Sequence, residues 1–230
     1  MALATQEHSP TTAEQDQAPY LLIHRANLHT VLRERAESLG AQIVLNASIA
    51  DIDLEIAKPS IRLQTGEIYQ ADIILGADGE RSTCREEMLG LEPCLRSSGN
   101  LIYRFSVPVS KAQEQEALAD LLNPTHVNLW MGPESHAVSY VVKRDNLLNV
   151  ALSVPQGLLD KTQYGVQVVA VQELCEILAE WDVRIGKLLS LTDHCSKWSL
   201  LQCDDIEAWT HSTGKFTLLG DSAHTMFPTL

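Results

Sequence analysis

The sequence predicts an α/β fold, α+β overall, in which a mainly antiparallel sheet is inserted between two segments of strand and helix. Three observations lead to this prediction. Two apolar runs, 72–75 and 215–219, each end in a turn of glycine and aspartate. Residues 28–39 carry apolar side chains at helical spacing. Between residues 101 and 154, four segments alternate apolar and polar side chains, which is typical of half-buried antiparallel strands.

The composition excludes two classes of partner. The chain has 230 residues, with 17 Lys and Arg against 30 Asp and Glu, for a net charge of −13. Such an acidic chain is not expected to bind nucleic acid or an anionic membrane surface, since both require clustered basic side chains. No apolar run approaches the ~18–20 residues of a spanning helix. The N-terminus lacks the basic and apolar regions of a secretion signal, so we expect a cytoplasmic protein.

The first part of the chain contains a helix and several short strands. Residues 1–19 are polar and predict a flexible leader. Asn27 can cap a helix that ends at Gly40, because apolar side chains recur between them at intervals of three and four residues. Residues 43–45 predict a strand. A hairpin is expected around Thr65–Gly66, and a second helix near Ser82, a favourable capping residue.

The middle and last parts of the chain differ from the first part in their pattern of apolar and polar residues. Helical segments are predicted at about 110–122 and, as a longer helix, at 166–181, where apolar residues could form one face. A final strand is expected near 215–219. The alternating segments that predict antiparallel strands are 101–107, 126–131, 137–142 and 148–154.

Two turns are the first candidates for a binding site. Gly76-Ala77-Asp78-Gly79 and Gly220-Asp221 each follow an apolar strand. In α/β folds, ligands bind beyond the carboxyl ends of strands, where glycine allows close approach and a carboxylate accepts hydrogen bonds from sugar or ribityl hydroxyls. Taken singly, each turn is equally compatible with an ordinary structural turn, because these dipeptides are common in turns.

The order of the motifs resembles a known family. Ile23–Leu32, Gly76–Arg85 and Leu218–Pro228 follow one another as in the class A FAD-dependent aromatic hydroxylases, and most closely as in the salicylate hydroxylase-like branch. Segments 99–104 and 132–140 also resemble the middle domain of that branch. The resemblance implies a partial Rossmann-like FAD-binding domain, residues 20–95 and 210–230, with an inserted, mainly antiparallel substrate domain, residues 96–209.

The resemblance also implies cofactors, partners and roles. The cofactor would be FAD, with NAD(P)H as reductant, O2 as oxidant and a small aromatic or polyketide-like molecule as substrate. Arg104 and Tyr140 would be the catalytic residues that face substrate or flavin. The residues matching the cofactor-binding positions are Arg25, Asp78, Gly79, Asp221 and Ala223.

Structural roles remain open for several of these residues. Arg25 could lie at the surface where a helix begins, and Arg104 and Tyr140 could belong to a solvated strand face. Arg85 could pair with a nearby acid or serve the cofactor. No metal site is expected, since His194 and His211 have no partners at zinc-ligand spacing.

The chain departs from the family pattern at both ends. It lacks the Gly-x-Gly-x-x-Gly unit that binds the FAD pyrophosphate. We therefore expect a truncated monooxygenase, whose FAD site a missing chain or exon would complete. A flavoprotein oxidase or epoxidase of the same fold, and a non-catalytic remnant that acts as a binding module, are the alternatives. Hydrolase elbows, His-Glu-x-x-His and phosphate-binding loops are absent from the sequence.

Overall fold

The computed structural model describes residues 2–7, 21–54, 58–90, 95–158 and 165–226. They divide into two compact units, each described by itself. Unit 1 comprises Met1–Gly40 and Gly99–Ser199, and unit 2 comprises Ala41–Ser98 and Leu200–Leu230. These units reflect packing alone, so the predicted functional domains 20–95, 96–209 and 210–230 stay predictions. Of the predicted leader, residues 2–7 form a strand, and residue 1 and residues 8–19 lie outside the described residues.

Strands and short helices alternate along the described chain. The strands are β1 Ala2–Glu7, β2 Ile49–Asp53, β3 Ser60–Leu63, β4 Ile68–Gln70, β5 Ile74–Gly76, β6 Arg96–Pro108, β7 His126–Gly132, β8 Ser135–Val142, β9 Leu147–Pro155, β10 Gln167–Ala170, β11 His194–Gln202 and β12 Phe216–Leu218. The α-helices are α1 Arg25–Ser38, α2 Thr83–Leu89, α3 Val109–Gln113, α4 Gln172–Ile177 and α5 Val183–Leu189. None of the described helices is long and apolar enough to cross a membrane.

Unit 1 is built on a seven-stranded sheet with the order β1-β7-β8-β9-β6-β11-β10. The pairs β7–β8, β8–β9 and β6–β9 are antiparallel, which confirms the mainly antiparallel character predicted for the middle of the chain. All four alternating segments lie within β6 to β9. The register places Tyr140 opposite Asn149, and Arg104 opposite Ala151, on adjacent strands.

The two faces of this sheet differ in character. On β6, Tyr103, Phe105 and Val107 are buried, while Arg104 points to the other face because successive side chains alternate. The buried face packs on the short helices of the unit. Its core also includes Leu118, Leu121, Trp130, Leu174, Ile185 and Leu188. The core therefore lies on one side of the sheet, and the opposite face is left to carry polar groups.

Three sequence-based predictions of local structure are wrong. Residues 166–181 do not form one helix: β10 and α4 occupy this stretch, because Val168 and Val169 are β-branched and pair with β11 instead. Residues 43–45 are not a strand. Asn27 does not cap α1. His24 does, accepting from the Ala26 N–H at 3.3 Å, while the Asn27 amide donates to the Asp145 carboxylate at 2.8 and 3.0 Å.

Unit 2 contains two small sheets. One is the antiparallel set β2-β3-β4, which confirms the hairpin at Gly66, a residue with φ of 89°. The other pairs β5 with β12 in parallel. Helix α2 begins where predicted, because the Ser82 hydroxyl accepts from the Arg85 N–H at 2.9 Å. A core under these elements is formed by Ile52, Leu54, Ile74, Cys84, Phe216, Leu218 and Ala223.

Helix α1 has an apolar stripe that the described residues cover only in part. Leu28, Val31 and Leu32 are 41%, 49% and 60% exposed, and no residue of the helix is buried. In unit 2, Leu75 of β5 is also largely exposed. Apolar stripes at helical spacing normally face a core. Each unit therefore displays surface of the kind that proteins bury.

Candidate functional site

The two glycine and aspartate turns meet at one edge of unit 2. Because β5 and β12 run in parallel, their carboxyl ends lie side by side, and the Leu219 N–H donates to the Gly76 carbonyl at 3.0 Å. Gly76 must be glycine here, since a Cβ would lie 2.8 Å from both Cys84 Cβ and Leu218 Cδ2. Residues 76–79 and 220–222, here called the turn pair, thus form one structure.

Asp78 binds within the turn pair. Its Oδ1 accepts from the hydroxyls of Ser82 at 2.5 Å and Ser222 at 3.0 Å, and its Oδ2 accepts from the Cys84 N–H at 3.0 Å. Burial by itself would raise the pKa of Asp78, but these hydrogen bonds, that from the Cys84 N–H first, outweigh burial and hold the pKa below its ordinary value. The Gly79 N–H donates to Ser222 Oγ at 2.9 Å. Both predicted residues are engaged by protein atoms.

Arg85 links the two turns of the turn pair through its guanidinium group. It is 2% exposed, and its guanidinium donates to the carbonyls of Ser222 at 3.1 Å, Asp221 at 3.4 Å and Glu80 at 2.8 Å. The hydrogen-bond partners of its guanidinium among the described residues are therefore carbonyl oxygens, so of the two alternatives left open by the sequence, pairing with an acid is not found. The Arg85 Nε has no hydrogen-bond partner there.

The remaining cofactor candidates of unit 2 differ in exposure. Asp221 is exposed at the carboxyl end of β12, with its side chain open to solvent. Ala223 is 4% exposed and packs in the core beside Phe216, while its N–H closes the turn on Gly220 at 2.9 Å. An exposed carboxylate on a fixed turn can accept hydrogen bonds from ligand hydroxyls. Asp221 is thus the acid of the turn pair that a ligand could reach.

In unit 1, Arg104 and Tyr140 lie together on the polar face of the sheet. Arg104 Nε donates to Asn149 Oδ1 at 2.9 Å, and its Nη2 donates to the Tyr140 hydroxyl at 3.4 Å. Asn149 is not among the residues predicted from the sequence. The alternation of β9 was the available signal, because it places Asn149 on the same face as Arg104.

The side-chain amide of Asn149 is buried and lacks a hydrogen-bond partner for its nitrogen among the described residues. The residue is 4% exposed, and its Nδ2 makes no hydrogen bond within the described chain. A buried amide N–H that lacks a partner costs about 1–3 kcal/mol. Such a group is compensated when a ligand supplies the missing acceptor.

A cavity of about 390 Å³ adjoins this network. Arg104 and Asn149 line it together with Arg25 from the start of α1, and we call it the arginine cavity. Its full lining is His24, Arg25, Arg104, Phe105, Ser106, Asn149, Val168, Thr192, His194, Cys195 and Ser196. These lining residues include two arginines and no carboxylate. In a chain of net charge −13, this concentration of cations favours an anionic ligand.

His136 lies on the same face of β8 as Tyr140, four residues away. It is half-buried, and burial lowers its pKa below the ordinary value. Among the described residues, His136 included, no group of three His, Cys, Asp or Glu side chains is arranged to hold a metal ion.

Unit 2 has a parallel strand pair with two acidic glycine turns, and unit 1 has an antiparallel sheet with a polar face. The chain belongs to the family described as FAD binding domain, which matches residues 2–230. The family resemblance inferred from the motifs is thereby confirmed.

Individual relatives agree with this assignment. The chain is 31% identical over 223 residues to the FAD-dependent monooxygenase OpS4 of Beauveria bassiana, covering 96% of this chain and 51% of that protein. It is 28% identical over 229 residues to the 3-amino-4-hydroxybenzoate 2-monooxygenase PtmB3 of Streptomyces platensis, covering 99% and 54%.

The fold is also that of a solved structure, a salicylate hydroxylase substrate complex. The TM-score is 0.73 at 24% identity, covering 90% of this chain and 52% of that one. The chain thus spans about half the length of the relatives it matches.

Proposed function

We propose that this chain is part of an FAD-dependent monooxygenase that hydroxylates a small anionic aromatic substrate, using NAD(P)H and O2. The observation that carries the proposal is the arginine cavity and its network of Arg104, Asn149 and Tyr140. Two guanidinium groups, a buried amide that lacks an acceptor and a phenol hydroxyl are suited to a ring that bears a carboxylate or phenolate. The names of the relatives, which include a hydroxybenzoate monooxygenase, support the same substrate class.

The residues present fit FAD. In unit 2, Asp221 offers an exposed carboxylate to a ribityl or ribose hydroxyl. Gly79 and Gly220, with φ of 85° and 59° and open space around them, leave room for close approach. Bound FAD, reduced by NAD(P)H, would supply the electron transfer and oxygen activation that protein side chains lack.

The protein residues would position the substrate. Arg104 would pair with its anionic group, Asn149 Nδ2 would donate to a second oxygen, and the Tyr140 hydroxyl would orient the ring. Arg104 is itself oriented before any ligand arrives, because Asn149 Oδ1 already accepts from its Nε at 2.9 Å. Orienting a reactant in this way is a large part of what a protein contributes to such chemistry.

We further propose that another segment of polypeptide completes the FAD-binding part of the enzyme. The exposed apolar side chains of α1 and β5 support this, since they have the character of core residues. The coverage of about half of each relative also supports it. A cytoplasmic location, where NAD(P)H is abundant, belongs to the same proposal.

The test is ligand binding by the purified 230-residue chain, measured by isothermal titration calorimetry. We expect 3-hydroxybenzoate to bind at least tenfold more tightly than 3-hydroxybenzyl alcohol, its neutral counterpart, because a charge-assisted pair is worth about 1.5–3 kcal/mol. Arg104→Gln should remove this preference. Arg33→Gln is the matched control, since Arg33 is exposed on α1 and does not line the cavity.

Two outcomes would contradict the proposal. Equal binding of the acid and the alcohol would show that the cavity does not select an anion. Loss of the preference in Arg33→Gln as well as in Arg104→Gln would show that net charge, not the cavity, is responsible. For the reaction itself, oxygen uptake with NADPH and FAD should accompany formation of a product 16 mass units heavier, once the completing segment is supplied.

A further inference from the structure

We propose that Asp145 is a positioning residue: by binding Asn27 it holds the first turn of α1 against the β8–β9 hairpin, where this turn forms part of the arginine cavity. Asp145 itself does not line the cavity. The contact consists of hydrogen bonds within unit 1 and does not depend on any ligand. The class of ligand that the cavity takes, an organic anion, rests on the proposed function.

The side chains of Asn27 and Asp145 join two distant parts of the chain. The Asn27 Nδ2 donates to Asp145 Oδ1 at 3.0 Å and to Oδ2 at 2.8 Å, across 118 positions of sequence. Both residues are half-buried. A hydrogen bond to an ionised group is roughly twice as strong as one between neutral groups. This contact is therefore suited to fixing the position of a helix end.

The charge of Asp145 also matches the helix end that it contacts. Asn27 is the third residue of α1, so the Asp145 carboxylate lies beside the first turn, where unpaired N–H groups carry a partial positive charge. This first turn contains no acidic residue of its own. Asp145 thus supplies, from another part of the chain, the negative charge that a helix start favours.

Apolar packing contributes little to the placement of α1 within the described chain. No residue of the helix is buried, and the stripe that includes Leu28, Val31 and Leu32 is largely exposed. Burial of apolar surface is normally the main force that holds a helix on its domain. With so little of it at α1, the polar contact between Asn27 and Asp145 has a correspondingly larger part in placing the helix.

The turn that carries Asp145 is itself fixed to the sheet. It joins β8 to β9, the strands that carry Tyr140 and Asn149. The next residue, Asn146, adopts a left-handed conformation with φ of 52°, and its carbonyl accepts from the Val109 N–H at 3.0 Å. Asp145 therefore places α1 relative to the same two strands that form the polar network of the cavity.

The first turn of α1 contributes two residues to the cavity. His24 caps the helix, Arg25 is its first residue, and both line the cavity. Because Asn27 follows Arg25 by two positions, the contact with Asp145 fixes the backbone that carries this guanidinium. A charged side chain on a fixed backbone binds a ligand with a smaller loss of conformational entropy. Asp145 thus favours the binding of an anion although it is itself an anion.

The variant Asp145→Ala is a test in which positioning and simple charge act in opposite directions. Removing a negative charge near an anion site strengthens anion binding when electrostatic repulsion is the only effect. Removing a positioning residue weakens it. Binding of 3-hydroxybenzoate and of 3-hydroxybenzyl alcohol to the full chain is measured by isothermal titration calorimetry. Glu34→Ala is the matched control, since Glu34 is an exposed acid of α1 that does not line the cavity.

We expect Asp145→Ala to weaken binding of the acid by about threefold or more, because the arginine must then be ordered when the ligand binds. Binding of the alcohol should change by less than about twofold, since it has no charge for Arg25 to pair with. Glu34→Ala should change neither by more than about twofold. Acid binding that is unchanged or tighter in Asp145→Ala overturns the proposal, and so does an equal loss for acid and alcohol.

A reciprocal exchange tests the contact itself. Asn27→Asp opposes two carboxylates and should weaken binding of the acid as Asp145→Ala does. Adding Asp145→Asn restores a pair of amide and carboxylate with their positions exchanged, and the double variant should bind the acid within about twofold of the parent chain. A double variant that binds no better than Asn27→Asp overturns the proposal.

Amide hydrogen exchange decides the coupling without a ligand. The Leu28 N–H donates to the His24 carbonyl at 3.1 Å, so residues 28–31 report on the first turns of α1. Their exchange should be about fivefold faster or more in Asp145→Ala and unchanged in Glu34→Ala. Unchanged exchange in Asp145→Ala overturns the proposal. If the parent chain binds neither compound, the proposed function fails, while the exchange rates still decide whether Asp145 holds α1.

Discussion

Replacing Gly76 by alanine should destabilise unit 2 through overpacking. The added Cβ would lie 2.8 Å from Cys84 Cβ, 2.8 Å from Leu218 Cδ2 and 3.3 Å from Phe216 Cζ. Ordinary carbon contacts are about 3.5–4.0 Å, so two neighbours must each move by about 0.7 Å or more. Overpacking of this kind costs about 1–3 kcal/mol in the free energy of unfolding.

Denaturation with urea, followed by circular dichroism, measures this effect. We expect a loss of about 1–3 kcal/mol, or a drop in Tm of about 2–12 °C for a chain of this length. Gly186→Ala is the matched control, because a Cβ on Gly186 in α5 would meet nothing within 4 Å. Alanine is favoured over glycine in a helix by about 0.5–1 kcal/mol, so the control should be stabilised.

Two results would refute this reasoning. A Gly76→Ala variant as stable as the parent would mean that the spacing of β5, β12 and α2 is not tight at this point. An equal loss in Gly186→Ala would mean that the damage is not specific to the close contact. Because Gly76 precedes Asp78 by two residues, the same variant should also speed hydrogen exchange in the turn pair.

Three further predictions follow from the structure. Burial lowers the pKa of His136, so protonation favours the unfolded chain and stability should fall as pH drops below about 6.5; in His136→Asn this part of the pH dependence, measured by urea denaturation, should vanish. Lys197→Met should lower the free energy of unfolding, measured the same way, by about 1–3 kcal/mol. The substitution leaves the Glu173 carboxylate, which is partly buried beside Tyr103, without its cation. An unchanged stability would show that solvent already screens the ion pair. The 230-residue chain should purify without yellow flavin absorbance, since it lacks Gly-x-Gly-x-x-Gly, and a stoichiometric FAD spectrum after desalting would contradict this.

Much of the fold could be predicted because its signals are local. The alternation in segment 148–154 places its strand within one residue at each end, and segment 101–107 lies inside the longer strand β6, since one buried face imposes a period of two. The cap at Ser82 and the turn at Gly66 depend on neighbouring residues only. The prediction of a single helix over residues 166–181 is wrong for the opposite reason. Its helical spacing competes with β-branched valines, and the partner strand β11, which decides the outcome, lies further along the chain.

The sequence by itself determined the family and the positions of the candidate residues, because motifs of glycine and aspartate in a fixed order can be recognised from the sequence alone. Only the tertiary structure decided what each candidate binds. Ser222 and Asp78 are separated by 144 positions and Arg104 and Tyr140 by 36, yet each pair is in hydrogen-bonding contact. Strand pairing brings such residues together, and the sequence contains no local signal of it. That is why the hydrogen bonds by which Asp78 joins the two turns could not be predicted from the sequence.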